Sequence, residues 1–356
     1  MNYINIITKM NKRTKNIMKC FNLAGVTALA LFSLVACGND EPEPAPTPNP
    51  PTGGQTPENP DTPDVPSVEK VPTLLVKDGW TIDTVAPGLI YYNFEKFDDV
   101  SNAYQIVNVL ELDLTNPKYE LELRYTSNGI ALSDAIKGTK TAIAGINAGH
   151  EPEAIYIKLN NYKASTVSLP PDHLRYWKHE GAIYWSTLND LGICFPGKNG
   201  GDAIAAYNAD KHRNLISSAP ILLDNFEPCG TWFVNPALSM EDLYKLDYEN
   251  PNRHQGVRHP RTVVALTEDR DLLLFTVDGR WPNRSEGMNA KELTNFLVKY
   301  FNPKDALTMD GGGSTTMVVK GRGDATTNVV NYPTDNGKFD HTGERRVTTH
   351  FLVKTK

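Results

Sequence analysis

The run Thr262-Val263-Val264-Ala265-Leu266, the polar link Glu268-Asp269-Arg270-Asp271 and the run Leu272-Leu273-Leu274-Phe275-Thr276-Val277 decide how this chain is read. Two short apolar segments joined by a polar turn predict a β-hairpin. Downstream, residues 289–300 set Leu293, Phe296, Leu297 and Tyr300 at helical spacing. Asn289 stands as N-cap there, with Glu292 three positions on, the pattern of a capping box. Residues 306–309 and 316–319 read as strands flanking a glycine-rich turn, and residues 347–353 as a last strand. Upstream, residues 74–76, 89–92, 106–112 and 119–123 also read as strands. A short helix is expected over 132–136, followed by an apolar strand over 141–146 that ends in Asn147-Ala148-Gly149-His150. Residues 151–213 lack clear periodicity and read as long loops with a few strands. Residues 218–225 predict a strand and turn, and 238–248 a short helix. Many strands and few helices predict an α+β fold, a mixed, largely antiparallel twisted sheet or sheets with a few packed helices.

Composition narrows the function classes. The 356 residues are 40% hydrophobic and 22% charged with a net charge of −6, ordinary for a globular protein and unlike a nucleic-acid binder. Phosphate recognition, if present, must be local. At the N-terminus, Lys9, Lys12, Arg13, Lys15 and Lys19 precede an uncharged stretch over 21–36 that ends Leu34-Val35-Ala36-Cys37. Basic region, short apolar run and small residue before a cysteine predict a lipoprotein signal peptide over 1–36. The apolar run is shorter than the roughly 20 residues needed to cross a bilayer. Leu-Val-Ala-Cys resembles a bacterial lipobox, which implies a lipidated Cys37 as the mature N-terminus. Residues 37–66 then form a proline-rich tether without enough apolar surface to fold. Asp40, Glu41 and Glu43 behind Cys37 resemble surface-export signals, so the expected place is the cell envelope, anchored to the outer membrane and displayed at its surface. Residues 67–356 remain for the folded domain, with 67–130 a candidate strand-rich subdomain. Of the four cysteines only Cys194 and Cys229 fall in it, and an oxidising compartment would let them pair.

The most unusual stretch is Thr308-Met309-Asp310-Gly311-Gly312-Gly313-Ser314-Thr315-Thr316. Successive glycines let a backbone approach a ligand and can form an anion-binding nest, with Asp310 and Ser314 beside it. Arg261 and Thr262 open the first hairpin strand, and Asp278-Gly279-Arg280 closes the second, which sets Arg261 and Asp278 at one sheet end. Planar guanidinium forks suit a phosphate. Glu286, just before the capped helix, fits helix or site chemistry equally. The fourth element is Asn331-Tyr332-Pro333-Thr334-Asp335-Asn336-Gly337, followed by Gly343-Glu344-Arg345-Arg346.

Together these four elements resemble the phosphodiester glycosidase family, over roughly residues 85–354 and most strongly from His259 onward. Where that family shows Asn-Gly-Gly-Phe-Phe, this chain has Asn147-Ala148-Gly149-His150-Glu151, so only Asn147 and Gly149 carry over. The resemblance implies hydrolysis of a sugar-1-phosphate diester through an oxocarbenium-like transition state. Asp310 is the leading nucleophile or general base, with Asp278 and Glu344 as further acid/base candidates. Arg261, Arg280, Gly311, Gly312, Gly313, Ser314, Asn147 and Thr262 are candidates for holding the phosphate. No cofactor is expected. Two other classes stay open. Asp278, Asp310 and Glu344 could hold a divalent cation for attack at phosphorus, and Trp177, Tyr184 and Trp185 could stack on sugars in a surface glycan-binding lipoprotein.

Overall fold

The structure, a computed structural model, describes residues 73–229 and 233–356; the signal sequence, Cys37 and the tether lie outside them. Three antiparallel sheets carry the fold. An eight-stranded sheet runs β1 (Thr81–Ala86), β2 (Leu89–Asp98), β3 (Ala103–Asp113), β14 (Asp271–Val277), β13 (Arg261–Leu266), β15 (Asp305–Thr308), β11 (Ile221–Asp224), β12 (Glu227–Pro228). A four-stranded sheet runs β16 (Met317–Val319), β5 (Ala142–Asn147), β17 (Val347–Thr355), β4 (Tyr119–Ile130). Five short strands make the third, in the order β7 (Tyr162–Ser165), β6 (Ile157–Leu159), β10 (Asn214–Ser218), β8 (Gly181–Trp185), β9 (Gly192–Cys194). Residues 81–130 thus serve both larger sheets rather than standing apart.

The hairpin forms in the expected register, Arg261 opposite Val277 and Leu266 opposite Leu272. Leu272 and Leu274 face a core built by all three sheets, while Leu273, Phe275 and Val277 face a second core under a helix. Burial on both faces is why these strands lack polar alternation. The short helices are α1 (Thr73–Lys77), α2 (Leu132–Lys137), α3 (Ala203–Ala209), α4 (Met240–Lys245) and α5 (Pro251–Gly256); α6 (Ala290–Tyr300) is the longest. In α6 the Asn289 side chain accepts from the Glu292 N–H at 2.9 Å and Glu292 accepts from the Asn289 N–H at 3.0 Å, the expected capping box. Leu293, Phe296, Leu297 and Tyr300 are buried against the sheet.

Two expectations change, the strand over 74–76 and the pairing of Cys194 with Cys229, and two others sharpen. Residues 74–76 form helix α1, not a strand, because a single turn closed by Gly79 at φ +74° drops Leu75 into the core and leaves Val76 exposed. Residues 151–213 hold most of the third sheet, whose strands of three to five residues are too short to show a period. The glycine-rich segment is no hairpin turn, since β15 and β16 belong to different sheets and it crosses between them. Cys194 and Cys229 form no disulfide with each other: both are buried, in separate clusters, and burial pushes the Cys229 thiol up to about 12.

Candidate active site

The site forms where that crossing is made. The Met309 N–H donates to the Thr262 carbonyl, so β15 continues beside β13, and one residue later the Asp310 N–H donates to the Ala148 carbonyl beyond β5. Asn147 fixes the crossing point. Its amide donates to the Asp310 carbonyl at 2.6 Å, and its oxygen accepts from the Thr262 hydroxyl at 2.8 Å and the Thr316 N–H at 3.1 Å. Asn147 and Thr262 are therefore buried scaffold, not ligands of a phosphate.

The crossing opens a cavity of about 170 Å³, lined by His150, Glu151, Lys178, Tyr248, Glu249, His254, Arg280, Asp310, Gly311, Gly313 and Arg345. Asp310 holds an oxygen 3.3 Å from His150 Nδ1, and the far ring nitrogen, Nε2, lies 3.1 Å from the Ala219 carbonyl. A carbonyl only accepts, so Nε2 carries a proton. Nδ1 faces the Asp310 carboxylate. Arg280 donates to the Tyr248 hydroxyl at 2.8 Å, and Arg345 is gripped by Asp335 through Nε and Nη2 at 2.6 and 2.8 Å, leaving Nη1 3.5 Å from Ser314 Oγ. Gly312 sits at φ +61° with Tyr248 and Arg280 against it, a place where a side chain would be strained and crowded.

On the buried side Lys178 lies between Glu151 and Glu249, its ammonium 3.0 and 2.5 Å from their carboxylates. Burial opposes charge on Glu151, but Lys178 and His150 outweigh it and hold the carboxyl at about 2. Burial likewise opposes the charge on Lys178, yet Glu151, Glu249 and Asp310 raise its pKa. At the cavity wall His254, and behind it His259, are held down by burial first and then by Arg261, His254 well below its ordinary value and His259 at about 2, so both rings are neutral.

The remaining candidates do different work. Arg261 is 1% exposed and absent from the cavity wall; it donates to the carbonyls of Met288, His254 and Val257 at 2.9, 2.6 and 2.9 Å. It tethers α5 to the approach to α6 and has no face for a phosphate. Asp278 is equally buried, accepts from the Asn331 amide at 2.9 Å and the Tyr332 N–H at 3.0 Å, and is pushed up to about 7 by burial. Glu344 turns away to the Ser133 hydroxyl and N–H at the first turn of α2. No nest forms at the central glycine, because the Gly312 N–H donates to the Pro260 carbonyl, and Ser314 is 2% exposed. Glu286 pairs with Arg258 at 2.6 Å. Tyr184 packs on His212 and buried Trp185 donates to the Leu121 carbonyl. Trp177 packs on His150 and His254 and donates to the Glu249 carbonyl. The three are packing residues.

Sequence reasoning selected Asp310, Arg280 and the glycines of this wall, and passed over His150 and Arg345, which lie inside the stretches it quoted. Lys178 comes from the stretch without periodicity, Tyr248 ends the segment expected as a short helix and Glu249 follows it, and none of the three carries a local signal of a site.

Residues 181–354 match the family described as Phosphodiester glycosidase. Arg280, Asp310 and Arg345 fall inside the match, while His150, Glu151 and Lys178 precede it. The N-acetylglucosamine-1-phosphodiester alpha-N-acetylglucosaminidase of Bos taurus is 30% identical over 122 residues, 34% of this chain and 21% of that protein. Its Homo sapiens counterpart is 28% identical over the same length. The matched stretch thus spans about a fifth of these relatives. The zebrafish enzyme of that name, solved as a catalytic domain auto-inhibited by its pro-peptide, superposes with a TM-score of 0.53 at 18% identity, covering 77% of this chain and 86% of that one. That likeness is one of fold. With the relatives beside it, the family match makes residues 181–354 similar to a phosphodiester glycosidase domain.

Proposed function

We propose that the chain hydrolyses a glycosyl phosphodiester at the sugar carbon. The observation that carries this reading is the pairing of Asp310 and His150 across one small cavity from Arg280 and Arg345. Two guanidinium groups suit a phosphodiester anion and the charge that grows on it as it leaves. The bond from carbon one to the phosphate oxygen breaks, a water oxygen replaces it, and the products are the free sugar and a phosphomonoester. Asp310 either attacks carbon one or takes the proton of the attacking water, while His150 beside it orients it. Asp278 and Glu344 are engaged elsewhere and do not converge on Asp310, so the proposal uses no metal. We place the protein at the outer membrane through Cys37, on the lipobox pattern. Surface display follows from the acidic residues behind it.

The test offers the full chain a panel of α- and β-linked sugar-1-phosphodiesters in heavy-oxygen water, with and without a chelator. Label in the sugar, unaffected by chelation, is expected. Label in the phosphate, or loss of activity on chelation, would give the metal-dependent phosphodiesterase instead. Asp310→Asn is expected to lower turnover on the order of a thousandfold, about 4 kcal/mol of barrier, at an unchanged melting temperature. Cys37→Ser should move the protein out of the membrane fraction.

A further inference from the structure

A second cavity, of about 480 Å³, adjoins the first, and Tyr248 and Arg280 line both. Helices α4 and α5 bring Tyr244 and Arg253 to its wall. The guanidinium groups of Arg253 and Arg280 lie 5.8 and 6.0 Å from the centre of the Tyr248 ring, and that of Arg253 also lies 5.9 Å from the centre of the Tyr244 ring. Arg253 Nη1 donates to the carbonyls of Tyr244 and Leu246 at 3.1 and 2.6 Å, so the group is fixed before any ligand arrives. Its charge is not spent. Among the described residues the partners of Arg253 and Arg280 are backbone carbonyls, hydroxyls and aromatic rings, with no carboxylate in an ion pair. The third arginine of the wall, Arg258, is taken by Glu286 and Glu292 at 2.6 and 2.7 Å. His259, on the same wall, registers the excess of positive charge: after burial, Arg261, Arg280 and Arg253 hold its ring down.

Resting on the glycosyl phosphodiester reading above, we propose that this second cavity takes the group beyond the phosphate and favours one with a negative charge of its own, a carboxylate or a further phosphate. Arg280 faces both spaces. A phosphate held there with its sugar beside Asp310 turns its other ester oxygen toward Tyr248 and Arg253. A planar guanidinium fork takes either anion through two parallel hydrogen bonds, and a fork already fixed on its neighbours loses little freedom in doing so. At about 480 Å³ the space lies within the ~300–1,000 Å³ of small-molecule sites. Neutral groups fit it too, but they leave Arg253 to water, so the preference is one of degree.

The experiment varies only the far group. Three diesters of one sugar 1-phosphate, ending in propyl, 2-carboxyethyl and 2-phosphoethyl groups, are offered to the full chain for kcat and KM, beside calorimetric titration with the matching phosphomonoesters. Both charged diesters are expected to show a KM about tenfold below that of the propyl diester. The advantage should shrink as salt rises. Arg253→Met is expected to bring the three KM values together, and Arg253→Lys, which keeps the charge but loses the fork, to keep part of the gap. Melting curves accompany both variants, and the lysine variant carries the comparison where the methionine variant does not fold. A propyl diester used as well as the charged ones overturns the inference, as does a gap that survives Arg253→Met in a folded protein. Charged phosphomonoesters that bind tighter than propyl phosphate through Arg253, with no diester turned over, support the assignment and sink the hydrolase reading instead. Silence in both assays overturns the two together.

Discussion

Arg261 and Arg280 flank the same hairpin, one as the first residue of β13 and one just beyond the end of β14, yet the fold gives them opposite tasks. Arg261 is enclosed, with three carbonyls around its guanidinium, whereas Arg280 is exposed on the cavity wall with a tyrosine hydroxyl beside it. The same split separates Asp278, sealed against Asn331 and Tyr332, from Asp310, which is open to the cavity and to His150. Charged residues at the ends of paired strands thus fall into an inner set that holds loops and an outer set that meets ligand. Two residues of chain decide the set: Asp278 ends the sheet and Arg280 has left it.

The largest effect expected from this split is on stability. Arg261→Met leaves three carbonyls without their donor, each costing about 1–3 kcal/mol when buried. A domain this size loses roughly 2–4 °C per kcal/mol, so melting should fall by ~10 °C or more. Arg261→Lys should recover part of it, since one ammonium can reach some of these acceptors. A melting curve that does not move, with turnover lost, would return Arg261 to the phosphate.

Arg280→Gln should behave in the opposite way. Its melting temperature should stay near that of the parent, while kcat/KM falls on the order of 10–100-fold, the equivalent of the ~1.5–3 kcal/mol of a charged hydrogen bond. Arg345→Gln is expected to act similarly, and Asp335→Asn more weakly, because Asp335 only aims the guanidinium. A panel in which Arg280→Gln melts early and turns over normally would erase the distinction between inner and outer sets.

What was legible in the sequence follows the same line. The hairpin, the capped α6 and the strand into Asn147 announced themselves because their signals are local: an apolar run, an Asn with a Glu three residues on, a strand that ends in polar residues. Asp310 was legible too, since three glycines behind a strand end are rare without a reason. Burial is not local. Arg261 and Arg280 look alike in a sequence, and only the packing of α5 shows which is sealed. Lys178 and Glu249 stand 71 positions apart and meet through a loop segment and the approach to α5, so no spacing rule could pair them. Leu74 to Val76 misled because three apolar residues suit a helical turn as well as a strand.

The smallest effect belongs to Asp278 and is a dependence on pH. Its carboxyl is buried, accepts two hydrogen bonds, and titrates near 7 in the fold against an ordinary value of 3.8. The folded state therefore keeps the proton that the unfolded state gives up between those values. Stability from this group is full below about pH 4 and is lost as pH rises through about 7. Between pH 6 and pH 8 the loss is about 1.4 kcal/mol, one pK unit. Asp278→Asn cannot titrate and presents an amide donor to one of the two donors it should accept from, so it should melt below the parent at both values. The gap should be wider at pH 6, where the parent still has its neutral carboxyl, by roughly 2–4 °C. Other titrating groups, including Glu180, which burial also pushes up to about 7, cancel in the comparison because both proteins carry them. A gap equal at the two values, with turnover at pH 8 lost in the mutant, would mean that Asp278 is ionised and belongs with Asp310 in the outer set.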